Sequence, residues 1–205
     1  MPYEQNVFVN CPFDNEYREM MHAIVFTVHD CGLVARSALE ISDSSQVRID
    51  RILTLIEECQ FGIHDISRTE LDPVNQLPRF NMPLELGLFL GAKRFGPGRQ
   101  KEKNCVILDT ERYRFQRFCS DIAGQDIKAH AGDPLAAIPM IRDWIRDATR
   151  GSGSIMPGGR RMVERFRSFR SALPSMCDLV GIDEEELIFN DYTTLAASWL
   201  KENEW

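Results

Sequence analysis

Between residues 6 and 148 short apolar runs alternate with segments of helical periodicity, and that alternation restricts the fold more tightly than any other feature of the chain. Asn6 to Asn10 reads NVFVN, the pattern of a buried strand, and breaks at a Cys-Pro-Phe-Asp turn. From Asn15 the apolar residues Tyr17, Met20, Met21, Ile24, Val25 and Val28 recur at three- and four-residue steps, which predicts a helix stopped by Gly32. Leu33 to Ser37 reads as a second strand. Ile49, Ile52, Leu53, Ile56 and Cys59 repeat the helical spacing and run into FGIHDIS, a third strand that ends at an acidic residue. After an irregular stretch, Leu71 to Phe80, a helix is expected over NMPLELGLFLGAKRFG, with Pro83 near its start and Gly96, Pro97 and Gly98 at its end. CVILD, Cys105 to Asp109, and IKAHA, Ile127 to Ala131, supply two further strands. Pro134 to Ala148 is an amphipathic helix through Ile138, Ile141, Trp144 and Ile145. The alternation predicts an α/β fold, a doubly wound, flavodoxin-like parallel sheet of about five strands with helices on both faces.

The one clear composition break is RGSGSIMPGGR, residues 150–160, which reads as a linker between an α/β domain over 1–149 and a small C-terminal helical appendage over 161–205. In the appendage Met162, Phe166 and Phe169 share one helical face, and Tyr192, Leu195, Ala196 and Trp199 share another. A formal charge of −7 and a pI near 5.2 remove the broad attraction to phosphate backbones that nucleic-acid binders show, so small molecules or proteins are the expected partners. No apolar run reaches the length of a bilayer span and the N-terminus has no basic leader followed by an apolar stretch, so no membrane association and a cytoplasmic location are expected. The six cysteines form no CxxC pair and read as reduced thiols, and the four histidines show no HxxxH or HExxH spacing. Neither a metal site nor a cofactor is expected.

In an open parallel sheet, ligands bind beyond the carboxyl ends of the strands, so the polar residues there are the candidates. The first strand end offers Asn10, Pro12, Phe13 and Asp14, the second Arg36, the third His64 and Asp65, and the following helix start Asn81 and Glu85. All are expected to face one crevice. Asp14 and Asn81 each have a second reading as helix N-caps. Glu85 also has two: in the first helical turn the macrodipole favours a carboxylate by roughly 0.3–1 kcal/mol without any chemistry, while the same field keeps it ionised, the form that attacks an electrophilic sugar carbon.

The segments VFVNCPFD, GIHDIS and NMPLELGLFLGAKRFG together resemble the nucleoside deoxyribosyltransferase-like superfamily, including its predicted nucleotide-binding members related to TIR domains, over roughly residues 6–148. The most specific part is a strand ending in Asp, then an Asn-containing approach to ELG with small residues behind it, here Asp65, Asn81 and Glu85-Leu86-Gly87. The resemblance implies that Glu85 stands where the transferases carry their nucleophile, which forms a glycosyl-enzyme ester as the base leaves, with Asp65 and Asp14 against sugar or base. The transferases also place an acidic residue shortly before ELG to help protonate the base. Arg79 and Phe80 occupy that vicinity here, leaving His64 or Asp65 as substitutes, or a site that binds without cleaving.

The implied activity is cleavage of the base–sugar bond of a nucleoside, nucleotide or NAD-like dinucleotide, by hydrolysis or transfer, with Glu85 and Asp65 as catalytic residues and Asn10, Pro12, Phe13, Asp14, Arg36, His64 and Asn81 binding substrate. The alternatives are a non-catalytic nucleotide sensor that signals through the helical tail and a scaffolding module like a TIR domain. A homo-oligomer is the expected assembly.

Overall fold

The computed structural model describes residues 2–69, 71, 74, 76–150 and 156–204. Among them five strands, β1 (Asn6–Asn10), β2 (Val34–Arg36), β3 (Phe61–Asp65), β4 (Asn104–Asp109) and β5 (Ile127–Ala129), pair in parallel in the order β2-β1-β3-β4-β5. This is the doubly wound, flavodoxin-like arrangement that the alternation predicts. Helices α1 (Arg18–Asp30), α2 (Arg48–Glu58), α3 (Asn81–Phe95) and α4 (Pro134–Ala148) cover the sheet, and α5 (Gly159–Val180) and α6 (Phe189–Glu202) follow.

Strand alternation assigns the two faces. Val7 and Val9 of β1 and Ile63 of β3 join the cluster built with α1 and α4, whereas Phe8 meets Ile52, Leu55 and Ile56 of α2 and Phe89 of α3. Because β1 and β3 are covered on both faces, every one of their residues is buried, and they read in sequence as continuous apolar runs. The edge strands pair on one side only and stop early. β2 spans Val34–Arg36 inside the expected Leu33 to Ser37, and β5 ends at Ala129, short of the expected Ala131.

Local signals set the helix ends. Asp14 caps the 3-10 turn Asn15–Tyr17 that leads into α1, accepting from the Tyr17 amide at 3.1 Å. Gly32, at φ +77°, closes α1 by donating to the His29 carbonyl while the Leu33 amide reaches Val28. Gly62 of β3 lies beneath Phe89 of α3; a Cβ there would stand 2.9 Å from the Phe89 ring and 2.7 Å from His64 Nε2. Only glycine permits that approach.

The C-terminal helices are packed against α1 and α4. Phe26 of α1 meets Phe166 and Phe169 of α5 at ring separations of 5.4 and 5.2 Å, and His22 of α1 stacks on Tyr192 of α6 at 3.8 Å. Arg165 of α5 grips Asp30 at the end of α1 through Nε and Nη2, the latter at 2.9 Å, and also donates to the Asn203 carbonyl at 2.7 Å. Of the expected linker, residues 151–155 lie outside the described residues. Its C-terminal part is pinned, since Arg142 of α4 donates to the carbonyls of Met156 and Pro157.

Candidate functional site

The strand order turns at β1 and β3, so the loops after these strands diverge and leave a gap above their carboxyl ends. A crevice of about 380 Å³ lies there, and Asn10, Pro12, Phe13, Asp14, Asn81 and Glu85 line it as expected from the sequence. Cys11, Arg48, Arg68, Leu71 and Met82 line it as well and were missed from the sequence, as does Arg79, which the sequence placed beside the ELG segment without a binding role. The strand-end rule could have found Arg68, which follows β3 by three positions.

Glu85 is placed differently from expectation. Since α3 begins at Asn81, its first turn holds no acidic residue and Glu85 stands beyond the reach of the terminal dipole. The macrodipole therefore does not hold it ionised. Glu85 is 6% exposed, and burial pushes its carboxyl from 4.5 to about 7 against an opposing pull from Arg48. Among the described residues its carboxyl group has no hydrogen-bond or ion-pair partner. Asn81 does not cap α3 either: Phe80 holds the N-cap position without a side-chain bond, and Asn81 is exposed to the crevice.

Asn10 is the fixed polar group of the floor. Its Nδ2 lies 2.9 Å from the Met82 carbonyl, which can only accept, so this atom is the amide nitrogen. The second hydrogen goes to His64 Nδ1 at 3.0 Å. With both hydrogens spent below, Asn10 is left with its carbonyl oxygen as an acceptor for the crevice.

His64 and Asp65 were expected in the crevice but stand outside its lining. His64 lies under Asn10 with its ring edge toward Phe89, at a centroid separation of 4.9 Å, and burial pushes it down to about 3. As Nδ1 accepts from Asn10, the proton is on Nε2, a buried atom without a hydrogen-bond partner among the described residues. Asp65, one residue on, points to the opposite face of the sheet. It accepts from the Tyr17 hydroxyl, from the Ser67 amide at 2.8 Å and from His130 Nε2 at 3.0 Å. His130 Nδ1 in turn accepts from the Gly132 amide at 3.0 Å, which fixes the tautomer. Asp65 thus ties the ends of β3 and β5 to the start of α1. Arg36 lies in another groove, beside Asn190 and Thr193 of α6, held by Glu40 at 2.7 Å and Glu58 at 3.3 Å.

Asp14 combines capping with a position in the crevice. While one oxygen accepts from Tyr17, the other faces Arg68 at 3.6 Å and Arg79 at 3.9 Å. The loop that carries Arg68 is anchored from below by Arg114, which pairs with Asp109 and donates to the carbonyls of Ile66 and Ser67 at 2.9 and 2.7 Å. Cys11 is buried, and burial followed by the charges of Asp65, Glu85 and Asp14 pushes its thiol well above the ordinary range, which disfavours the thiolate.

Among the described residues no group of three or more His, Cys, Asp and Glu is arranged to hold a metal ion, and no helix is long and apolar enough to cross a membrane. The chain matches no family model, no curated protein and no solved structure.

Proposed function

We propose that the crevice cleaves the N-glycosidic bond of a nucleoside, nucleotide or NAD-like dinucleotide with Glu85 as nucleophile, as the resemblance to the nucleoside deoxyribosyltransferase-like superfamily implies. The observation that carries the reading is Glu85 itself, a buried carboxyl at the switch point of the sheet that has no hydrogen-bond or ion-pair partner among the described residues, with its proton affinity raised by burial. A structural carboxyl buried to this degree is normally paired. This one is left open toward the crevice.

In the proposed reaction the ionised Glu85 attacks the anomeric carbon, the C–N bond breaks, and its electron pair leaves with the base. Nicotinamide, cationic in NAD, leaves neutral, and water then cleaves its ester with a proton lost to solvent; a purine or pyrimidine leaves as an anion and takes a proton from water. The resulting hydroxide cleaves the glycosyl ester, releasing the sugar and restoring the carboxylate, so the sum is hydrolysis, whereas attack by a second base gives transfer. His64 and Asp65 do not protonate the base in this scheme, because both are committed beneath the site. Since attack needs the ionised form of a group at about 7, base release should rise with pH between about 6 and 8 and then level off. A fall over that interval would instead make protonated Glu85 the acid.

The test is chromatography of free base after incubation with nucleosides, nucleoside monophosphates and NAD. Release should be strong in wild type and fall by about a thousandfold or more in Glu85→Gln. No release from any of them by folded protein would overturn the enzyme reading. A sensor reading is favoured by one observation: among the described residues the lining holds no second uncommitted acid. It predicts nucleotide binding that survives Glu85→Gln, with no base released by wild type.

A further inference from the structure

The charges of the crevice run against those of the molecule. The chain carries a net −7, yet among the described residues of the lining Arg48, Arg68 and Arg79 stand against the two carboxyl groups of Asp14 and Glu85. Arg68 is engaged by Asp14 and, at 2.9 Å, by Glu16. Arg79 is not bound in this way. Its side chain is 61% exposed and its ion pair is a loose one with Asp14 at 3.9 Å, beyond hydrogen-bond distance. Exposed Arg48 makes no hydrogen bond or ion pair among the described residues. Two guanidinium forks with unspent N–H groups therefore stand at the rim, a geometry matched to phosphate oxygens.

The floor has the opposite character. Asn10 and Glu85 are 1% and 6% exposed, and both offer oxygen acceptors to whatever enters. The crevice is thus polarised from buried acceptors, which suit sugar hydroxyls, to exposed cations, which suit an anion. Its volume of about 380 Å³ is near the lower end of the roughly 300–1,000 Å³ range of ligand pockets, a size for one nucleotide and not two.

We infer that the ligand of this site is a nucleoside 5′-monophosphate, with its sugar over Glu85 and Asn10 and its phosphate between Arg48 and Arg79. The inference rests on the reading of the crevice as a site for N-glycosides and narrows the substrate class. A free nucleoside would leave both arginines unused, and a dinucleotide would extend past the rim.

Calorimetry on Glu85→Gln, which removes turnover, tests it with four nucleoside monophosphates, their parent nucleosides, NAD and inorganic phosphate. At least one monophosphate should bind about 10- to 100-fold more tightly than its nucleoside and more tightly than NAD or inorganic phosphate. Adding Arg48→Ala and Arg79→Ala should erase that advantage while nucleoside affinity stays within about twofold, and raised salt should narrow it. The same preference should be present in wild type as the ratio of kcat/KM for base release. Equal affinity for nucleoside and monophosphate, an advantage that survives loss of both arginines, tighter binding of NAD, or inorganic phosphate binding as well as the nucleotides would each overturn the inference. Glu85-dependent base release that is indifferent to the phosphate would leave the glycosidase reading standing while this one falls. An arginine-dependent preference without any base release would do the reverse.

Discussion

Burial raises the Glu85 carboxyl from 4.5 to about 7, so the folded protein holds the proton more tightly than the unfolded chain does between those values. The favourable contribution is complete below about 4.5 and is lost as pH rises through about 7, leaving at pH 8 a penalty bounded at about 3 kcal/mol and reduced by the partial solvation of the group. Glu85→Gln should therefore raise stability at pH 8 by about 1–3 kcal/mol and change it little at pH 4.5, measured by urea unfolding of both proteins at the two pH values. Destabilisation at pH 8 would mean that the carboxylate has a partner in solution. Asn10 should respond in the opposite sense. Asn10→Asp replaces the donor to Met82 and His64 by an acceptor facing two acceptors, and should cost about 3 kcal/mol or more in the same unfolding experiment. A cost under about 1 kcal/mol would contradict the assigned amide orientation.

Strand alternation explains which candidates reached the crevice. Phe8, Asn10 and His64 share the α2 and α3 side of the sheet, whereas Ile63 and Asp65 face α1, where Tyr17 and His130 receive the Asp65 carboxylate. The strand-end rule was legible in the sequence, but applied without this alternation it grouped Asp65 with residues on the other face. Arg36 failed for a different reason, since the acidic partners Glu40 and Glu58 come from the loop after β2 and from α2, and no local pattern announces such a pairing. Arg48 was hidden because it enters α2 behind Val47, without an N-cap signal to mark a helix start. Between elements, the tie of greatest consequence is Arg165 to Asp30, both nearly buried, where burial raises the Asp30 carboxyl and the bond to Arg165 opposes it. Arg165→Met alone should cost about 3–5 kcal/mol by stranding Asp30, and the double change with Asp30→Leu should recover most of that loss. An additive result in the double-mutant cycle would show that the pair is not coupled.

At the scale of the molecule, the helices after residue 156 share one apolar cluster with the sheet, α1 and α4, including Phe26, Ile141, Met162, Phe169 and Tyr192. Their helical periodicity was legible in sequence, but the extent of packing was not, because an apolar stripe does not say what it meets. A chain ending at Ala148 would expose the Phe26 surface, so it should fail to give a cooperative thermal transition, while the full chain unfolds in one step by circular dichroism and calorimetry. Separate transitions for the two parts would contradict that coupling. The same rigid framework holds Glu85 at the switch point, without a partner among the described residues, and the central claim is that it bonds to the sugar. Intact and peptide mass spectrometry of wild type treated with a 2-fluoro nucleoside monophosphate tests this directly. The account predicts one added glycosyl group, mapped to Glu85 and absent from Glu85→Gln. Base release that continues at the wild-type rate in Glu85→Gln, or an adduct on any other residue, would contradict it.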